Sequence, residues 1–306
     1  MTTPRRPAPT ASAPLKTLKP LRGVRVLSLA LNLPGPAAMM RLKAMGATCL
    51  KAEPPGPRGA SGDPMGQYNR GAYDTMHTGI RVITVDLKTE KGQASLHKEL
   101  ARTDVLLTSF RPSALEKLGL GWKALRRRYP ALSVVAIVGA PGARAEEPGH
   151  DLTYLADAGL VTRLDLPPTL FADMGGALMA SEAALKAVLA QKTSGKGSFQ
   201  QVALSDAAAW LALPRTWGLT QPSGAVGGAH AGYRVYPCKD GRVAVAALEP
   251  HFAAALCAAA GVAMPSLLTL FEQATHEAIA RFLLARTRKQ LDTLALEMDI
   301  PLHTMA

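Results

Sequence analysis

Two periodicities alternate along the apolar positions of this chain. Short runs rich in Val, Leu and Ile read as strands: VRVLSLAL (24–31), TCLKAE (48–53), RVITVDLK (81–88), VLLTSF (105–110) and LSVVAIVGA (132–140). Between them lie segments with helical spacing, AAMMRLKAMGA (37–47), KGQASLHKELARTD (91–104) and SALEKLGLGWKALRRRYP (113–130), the last holding one or two short helices. Residues 54–72, dense in Gly and Pro, read as a loop. Strand and helix in alternation predict an α/β fold, a Rossmann-like large domain built on a parallel sheet.

Further along, FADMGGALMASEAALKAVLAQKTSGKG (171–197) reads as one long Ala-rich helix closed by Gly195, and FQQVALSDAAAWLAL (199–213) as a strand followed by a helix. The composition changes at the glycine-rich TQPSGAVGGAHAG (220–232). After it, YRVYPC and RVAVAAL form a hairpin with Lys239-Asp240-Gly241 at its turn, and two Ala/Leu-rich helices follow. The expected organisation is a leader over residues 1–20, a large α/β domain over 21–220 and a smaller C-terminal α+β domain over 221–306. The leader, MTTPRRPAPTASAPLKTLKP, is basic and rich in Pro and Ala, and its prolines oppose an amphipathic helix, so it reads as disordered rather than as a transit segment.

Composition narrows the function classes. The chain has 306 residues, 48% hydrophobic and 19% charged, which is globular rather than disordered. Its formal net charge of +12 suits nucleic acid, membrane lipids or a polyanionic small ligand. Nucleic acid fits least, because Lys and Arg are spread along the chain without a binding motif, and Arg126-Arg127-Arg128 reads as a solvated helix end. Cys49, Cys238 and Cys257 are far apart and lack metal spacing, which makes a reduced, cytoplasmic protein the default. No apolar run reaches membrane-spanning length.

The glycine-rich strings GPRGASG and SGKGS lack P-loop spacing, and neither GxGxxG nor a GxSxG or HExxH motif is present. The remaining chemistry-bearing stretch is EPGHDLTYLADAG (147–159). Asp151 there reads two ways. It caps a helix from Leu152 to about Leu160, or it is a partly desolvated carboxylate acting as nucleophile or base. His150 stands beside it as a further candidate, although neighbouring residues on a helix do not face one another. A second carboxylate, Glu249, leaves the apolar strand of VAVAALEPHF (243–252), where an ordinary strand-exit Glu is the plain alternative.

In series, LRGVRVLSLALNLPGPAA, LKAMGATCLKAEPPG, SGDP, GIRVITVDLK, TDVLLTSFRPSALEKLGLGWKAL, PGHDLTYLADAGL, FADMGGALMA, TSGKGSFQQVALSDAA and YRVYPCKDGRVAVAALEPHF resemble the family III CoA-transferases, the CaiB/BaiF group, which includes 2-methylacyl-CoA racemases. The resemblance runs over nearly the whole chain from Leu21. It implies the family III fold and coenzyme A thioesters as substrates, with no prosthetic group and no metal. It implies a CoA-transferase in which the Asp151 position attacks the thioester of an acyl-CoA. A mixed anhydride forms, the thiolate returns to give an aspartyl-CoA thioester, and a carboxylic acid then takes the CoA. The alternatives are a racemase, with Asp151 and Glu249 of the Glu249-Pro250-His251-Phe252 string as acid/base groups on opposite faces of C2, or a non-catalytic CoA-binding member.

The same resemblance places CoA along Asn32, Leu33, Pro34, Ser109, Phe110 and Arg111, with Lys117 as a phosphate contact; plain surface charge is the alternative for Arg111 and Lys117. It makes GAVGGAHAG (224–232) a lid over the carboxylate or a linker between domains. Ile80 departs from the family, which usually has Lys there. The chain stops at IPLHTMA, short of the several tens of further residues expected for an interlocked homodimer.

Overall fold

The computed structural model of the chain describes residues 18–57, 60–264 and 266–306. Residues 1–17 of the expected leader lie outside them. The chain divides into two compact units between Leu211 and Ala212, ahead of the glycine-rich loop at 220–232.

The first unit alternates strand and helix. Its elements are β1 (Arg25–Ser28), α1 (Pro34–Ala44), β2 (Thr48–Glu53), α2 (Pro64–Tyr68), α3 (Arg70–Met76), β3 (Arg81–Thr84), α4 (Glu90–Leu100) and β4 (Val105–Thr108). They continue with α5 (Pro112–Lys117), α6 (Trp122–Arg128), β5 (Ser133–Val138), α7 (Asp151–Asp157), α8 (Phe171–Ser194), β6 (Phe199–Ala203) and α9 (Leu204–Leu211). The six strands form one parallel sheet in the order β3-β2-β1-β4-β5-β6. β4 and β5 are buried at every position, as continuous apolar strands covered on both faces must be. One face carries α1 and the alanine-rich α8, with Ala38, Leu42, Ala180 and Ala184 in its core. The opposite core holds Leu96, Leu100, Leu115 and Leu125 from α4, α5 and α6. Gly195 ends α8 in the left-handed conformation at φ 67°, which glycine adopts without steric cost.

The segment expected as a loop at 54–72 contains α2 and the start of α3. Asp63 caps α2 by accepting the Met65 N–H at 2.9 Å, with Pro64 at the first helical position. Asn69 caps α3 through Ala72 N–H at 3.0 Å. The segment is tied to the sheet by a buried ion cluster. Lys51 on β2 is 1% exposed, and its ammonium meets Asp63, Glu53 Oε1 at 3.0 Å and His77 Nε2 at 3.0 Å. His77 Nδ1 lies 2.6 Å from the Tyr73 carbonyl, which only accepts, so Nε2 is free to accept from the ammonium. Burial alone would raise the Glu53 carboxyl, but hydrogen bonds from Ser61 and Tyr73 and the Lys51 charge hold it below its usual value. Burial, then the Lys51 charge, lowers His77 and keeps it neutral. Glu53, Asp63 and His77 are close enough to hold a cation, and the lysine ammonium takes that place.

The second unit holds α10 (Leu213–Thr216), β7 (Tyr233–Cys238), β8 (Gly241–Ala246), α11 (Pro250–Ala259), α12 (Gln273–Leu284), α13 (Arg288–Met298) and β9 (Leu302–Met305). Cys238 pairs with Gly241, which closes the expected hairpin over Lys239 and Asp240. β9 pairs antiparallel with β8, so the final residues form a third strand that the sequence pattern does not announce. Three helices follow the hairpin where two were expected. They close over a core of Val243, Leu256, Ile279, Leu283 and Leu291. Among the described residues, no helix is long and apolar enough to cross a membrane.

Lys51→Met leaves two buried carboxylates without their counter-ion, and stability is expected to fall by about 3–5 kcal/mol. Urea unfolding of the two proteins at pH 7 measures it; a loss below about 1 kcal/mol would show that the cluster is not needed.

Candidate functional site

In a sheet of order 3-2-1-4-5-6 the chain winds outward in opposite directions from β1 and β4, so the loops leaving these two strands diverge and open a crevice. The loops lining it are built from short-range hydrogen bonds. Leu31 N–H donates to Ser109 Oγ at 3.2 Å, joining the exit of β1 to that of β4. Asn32 stands in the left-handed region at φ 62°, and its N–H donates to Asp63 Oδ1 at 3.0 Å. The Lys51 cluster therefore reaches the crevice through Asp63.

A cavity of about 190 Å³ occupies this place. Its walls include Asn32 and Pro34 after β1, Ser109, Phe110 and Arg111 after β4, and Gly139 after β5. Glu147, His150, Tyr154 and Asp173 also line it. Leu33 is at the N-terminus of α1 and packs into the core instead. Lys117 is exposed in the last turn of α5, where its charge, after that of Arg111, acts on Glu146; hydrogen bonds from the Ser113 N–H and hydroxyl are the larger causes that hold that carboxyl low. Ile80 is buried in the core. Glu249 is exposed at the start of α11, in the second unit.

The helix expected over 152–160 with Asp151 as its cap runs instead from Asp151 to Asp157, with His150 at the cap position. The His150 N–H donates to Thr153 Oγ1 at 3.1 Å. Asp151 is 5% exposed and turns to the other helix, where its Oδ1 accepts the Asp173 N–H at 2.9 Å. It caps α8 rather than α7. Two carboxyls line the cavity: that of Glu147, exposed and paired with Arg144 Nε at 3.0 Å, and that of Asp173, at the third position of α8. Burial, and then the nearby charge of Asp151, push its pKa up to about 6, against a smaller opposing effect of His150. His150 thus acts on Asp173 across the cavity.

The sequence reading missed Asp173. An acidic residue in the first turn of a helix is ordinary on dipole grounds, and its burial comes from α7 lying against the start of α8, which no local pattern reveals. The available signal was a carboxylate followed by Gly175-Gly176 within FADMGGALMA. A second cavity of about 260 Å³ lies beyond Phe110, walled by Leu29, Ala52, Val85, Leu87 and Leu118, and Phe110 lines both.

The chain is 33% identical over 210 residues to the "Probable fatty acyl-CoA transferase" of Mycobacterium tuberculosis, covering 63% of this chain and 52% of that one. It is 31% identical over 252 residues to human alpha-methylacyl-CoA racemase, 76% of this chain and 62% of that one. It is 30% identical over 317 aligned positions to the succinyl-CoA–D-citramalate CoA-transferase of Chloroflexus aurantiacus, 92% of this chain and 77% of that one. The chain therefore spans between half and two thirds of the length of the first two of these relatives. The crystal structure of the M. tuberculosis protein superposes with a TM-score of 0.79 at 26% identity, covering 94% of this chain and 86% of that one. The family model described as CoA-transferase family III matches residues 21–306, and the chain belongs to that family.

Proposed function

We propose that the chain is a CoA-transferase that moves CoA between an acyl-CoA thioester and a carboxylic acid, with Asp173 as the reacting carboxylate. The observation that carries this reading is the position and basicity of that group. It lines the cavity at the crevice of the parallel sheet, with its pKa raised to about 6. At pH 7 it is ionised and more nucleophilic than an ordinary aspartate.

Attack of Asp173 Oδ on the thioester carbonyl carbon, with cleavage of the C–S bond, gives a mixed anhydride and CoA thiolate. Return of the thiolate to the aspartyl carbonyl releases the first acid and leaves an aspartyl-CoA thioester. The acceptor carboxylate then repeats the sequence in reverse. Exclusion of water protects the anhydride. Asp151 is a positioning residue here, holding the backbone of Asp173 through the 2.9 Å hydrogen bond. The cavity beyond Phe110 suits the nucleotide end of CoA, with apolar walls for the base, and Arg111 in the first cavity offers charge for the phosphates, with Lys117 exposed nearby on α5. The reading includes a homodimer. Exposed Leu178, Leu189 and Trp210 on α8 and α9 offer apolar surface for it, and sedimentation velocity gives the assembled mass; a monomer at micromolar concentration would exclude it.

The racemase alternative rests on His150 and Asp173 lining one cavity as two acid/base groups. Solvent deuterium entering C2 of a 2-methylacyl-CoA, without CoA transfer to an acid, would favour it.

The test is intact-protein and peptide mass spectrometry after incubation with an acyl-CoA panel, with hydroxylamine trapping. Modification is expected on Asp173, with turnover in Asp173→Ala reduced by at least about three orders of magnitude and a smaller loss in Asp151→Asn. Modification on Asp151 would reverse the two roles.

The raised pKa carries a stability prediction. The folded-state value lies above the ordinary 3.8, so the ionised form is penalised by the fold. Stability is fully present below about pH 4 and is lost as pH rises through about 6. Asp173→Asn removes the penalty, with an expected gain on the order of 1–3 kcal/mol at pH 7 and little at pH 4. Urea titrations at the two pH values measure it; equal effects at both would contradict the burial of this charge.

A further inference from the structure

Tyr154 is the fourth residue of α7, half-buried, with its ring packed against the α1/α8 core and against Leu155 and Ala172. Its hydroxyl lies between the backbones of two glycines. A methyl group added at Gly139 would stand 2.3 Å from the hydroxyl oxygen, and one added at Gly149 would stand 2.5 Å from it. Both glycines and the tyrosine line the same cavity as Asp173. Phenols that bury their ring normally find a hydrogen-bond partner for the hydroxyl. Tyr129 and Tyr236 do so here, donating to the carbonyls of His97 and Ala231. The Tyr154 hydroxyl has no partner among the described residues.

Burial pushes the Tyr154 phenol up, and the charge of Asp173 adds to this against a smaller effect of Arg111, so the proton stays on the oxygen at neutral pH. Space for the hydroxyl is kept by two residues without a Cβ, at the wall of a cavity that also holds a basic carboxylate. Packing alone would be served by phenylalanine.

We propose that the Tyr154 hydroxyl donates a hydrogen bond to the carbonyl oxygen of the bound thioester and stabilises the oxyanion that forms there. The inference rests on the transferase reading. As Asp173 Oδ bonds to the carbonyl carbon, the π pair moves to the carbonyl oxygen, and the hydroxyl holds that charge without giving up its proton. Collapse restores the C=O bond and expels the CoA thiolate. A donor fixed before reaction strengthens as the charge develops and so acts on the rate rather than on binding.

The experiment compares Tyr154→Phe with the wild-type full chain. Single-turnover acylation is followed by mass spectrometry with the acyl-CoA that labels the wild type best, and affinity for free CoA is measured by calorimetry. Removal of one such donor is expected to slow acylation by about 100- to 1,000-fold, with CoA affinity and Tm unchanged. Gly149→Ala, which displaces the hydroxyl without removing it, is expected to slow acylation in the same direction. An acylation rate in Tyr154→Phe within about threefold of wild type overturns the inference while leaving the transferase reading standing. So does a rate loss matched by an equal loss of CoA affinity, since that is a binding or structural effect. A wild type that no thioester acylates overturns the transferase reading and this inference with it.

Discussion

The ammonium of Lys51 is the contact on which the geometry of the crevice depends. A lysine carries three N–H donors and no acceptor. Buried at 1% exposure, it needs three acceptors and a compensating charge, and Asp63, Glu53 and His77 supply both. Two carboxylates are more negative charge than one ammonium neutralises, and the hydroxyls of Ser61 and Tyr73 take up the rest on Glu53. The neutrality of His77 follows from the same arrangement, since a second cation beside Lys51 would be repelled. One oxygen of Asp63 meets the ammonium while the other accepts from Met65 N–H and Asn32 N–H. An ion cluster on β2 thereby starts a helix and fixes a left-handed residue at the exit of β1.

The second constraint is the meeting of two carboxylates at the start of α8. Asp151 is occupied with a backbone N–H, so its charge is held in place. Asp173 follows it into a partly dry environment and carries the cost, with its pKa raised to about 6. The N-terminus of a 24-residue helix favours negative charge there, which opposes the shift but does not cancel it. Neighbouring acids are thus set apart by their surroundings: Asp151 is tied to a backbone N–H, and Asp173 is left with a raised pKa.

Much of the first unit, and the hairpin of the second, was legible because their signals are local. The five strand runs before residue 140, the long helix closed at Gly195 and the Lys239-Asp240 hairpin are all set by periodicity and turn chemistry, and the structure has them within a few residues. The helices at 64–76 were missed because Gly and Pro density outweighed a sound start signal, Asp63 followed by Pro64. β9 was missed because LHTM has no distinctive pattern and is a strand only by pairing with β8. Six of the proposed site residues, Asn32, Pro34, Ser109, Phe110, Arg111 and His150, line one cavity because all leave the sheet at one end. That Asp151 turns to the start of α8 while Asp173 lines the cavity could not be read, since it depends on which way a side chain faces once two helices have met.

An ionised Asp173 weakens the fold, and the Tyr154 hydroxyl opens on the cavity without a partner among the described residues. Both groups stand near the starts of helices, Tyr154 in α7 and Asp173 in α8. The stabilising contacts lie elsewhere, in the fully buried β4 and β5 and in the alanine packing of α8. This separation lets the cavity hold groups that hydrogen bonding within the protein leaves unsatisfied. On the transferase reading, a ligand that offers a carbonyl oxygen to the phenol and an electrophilic carbon to the carboxylate engages both groups at once. On that reading the two groups select the same class of molecule, and a thioester of CoA reaching past Phe110 into the neighbouring apolar cavity would satisfy them together.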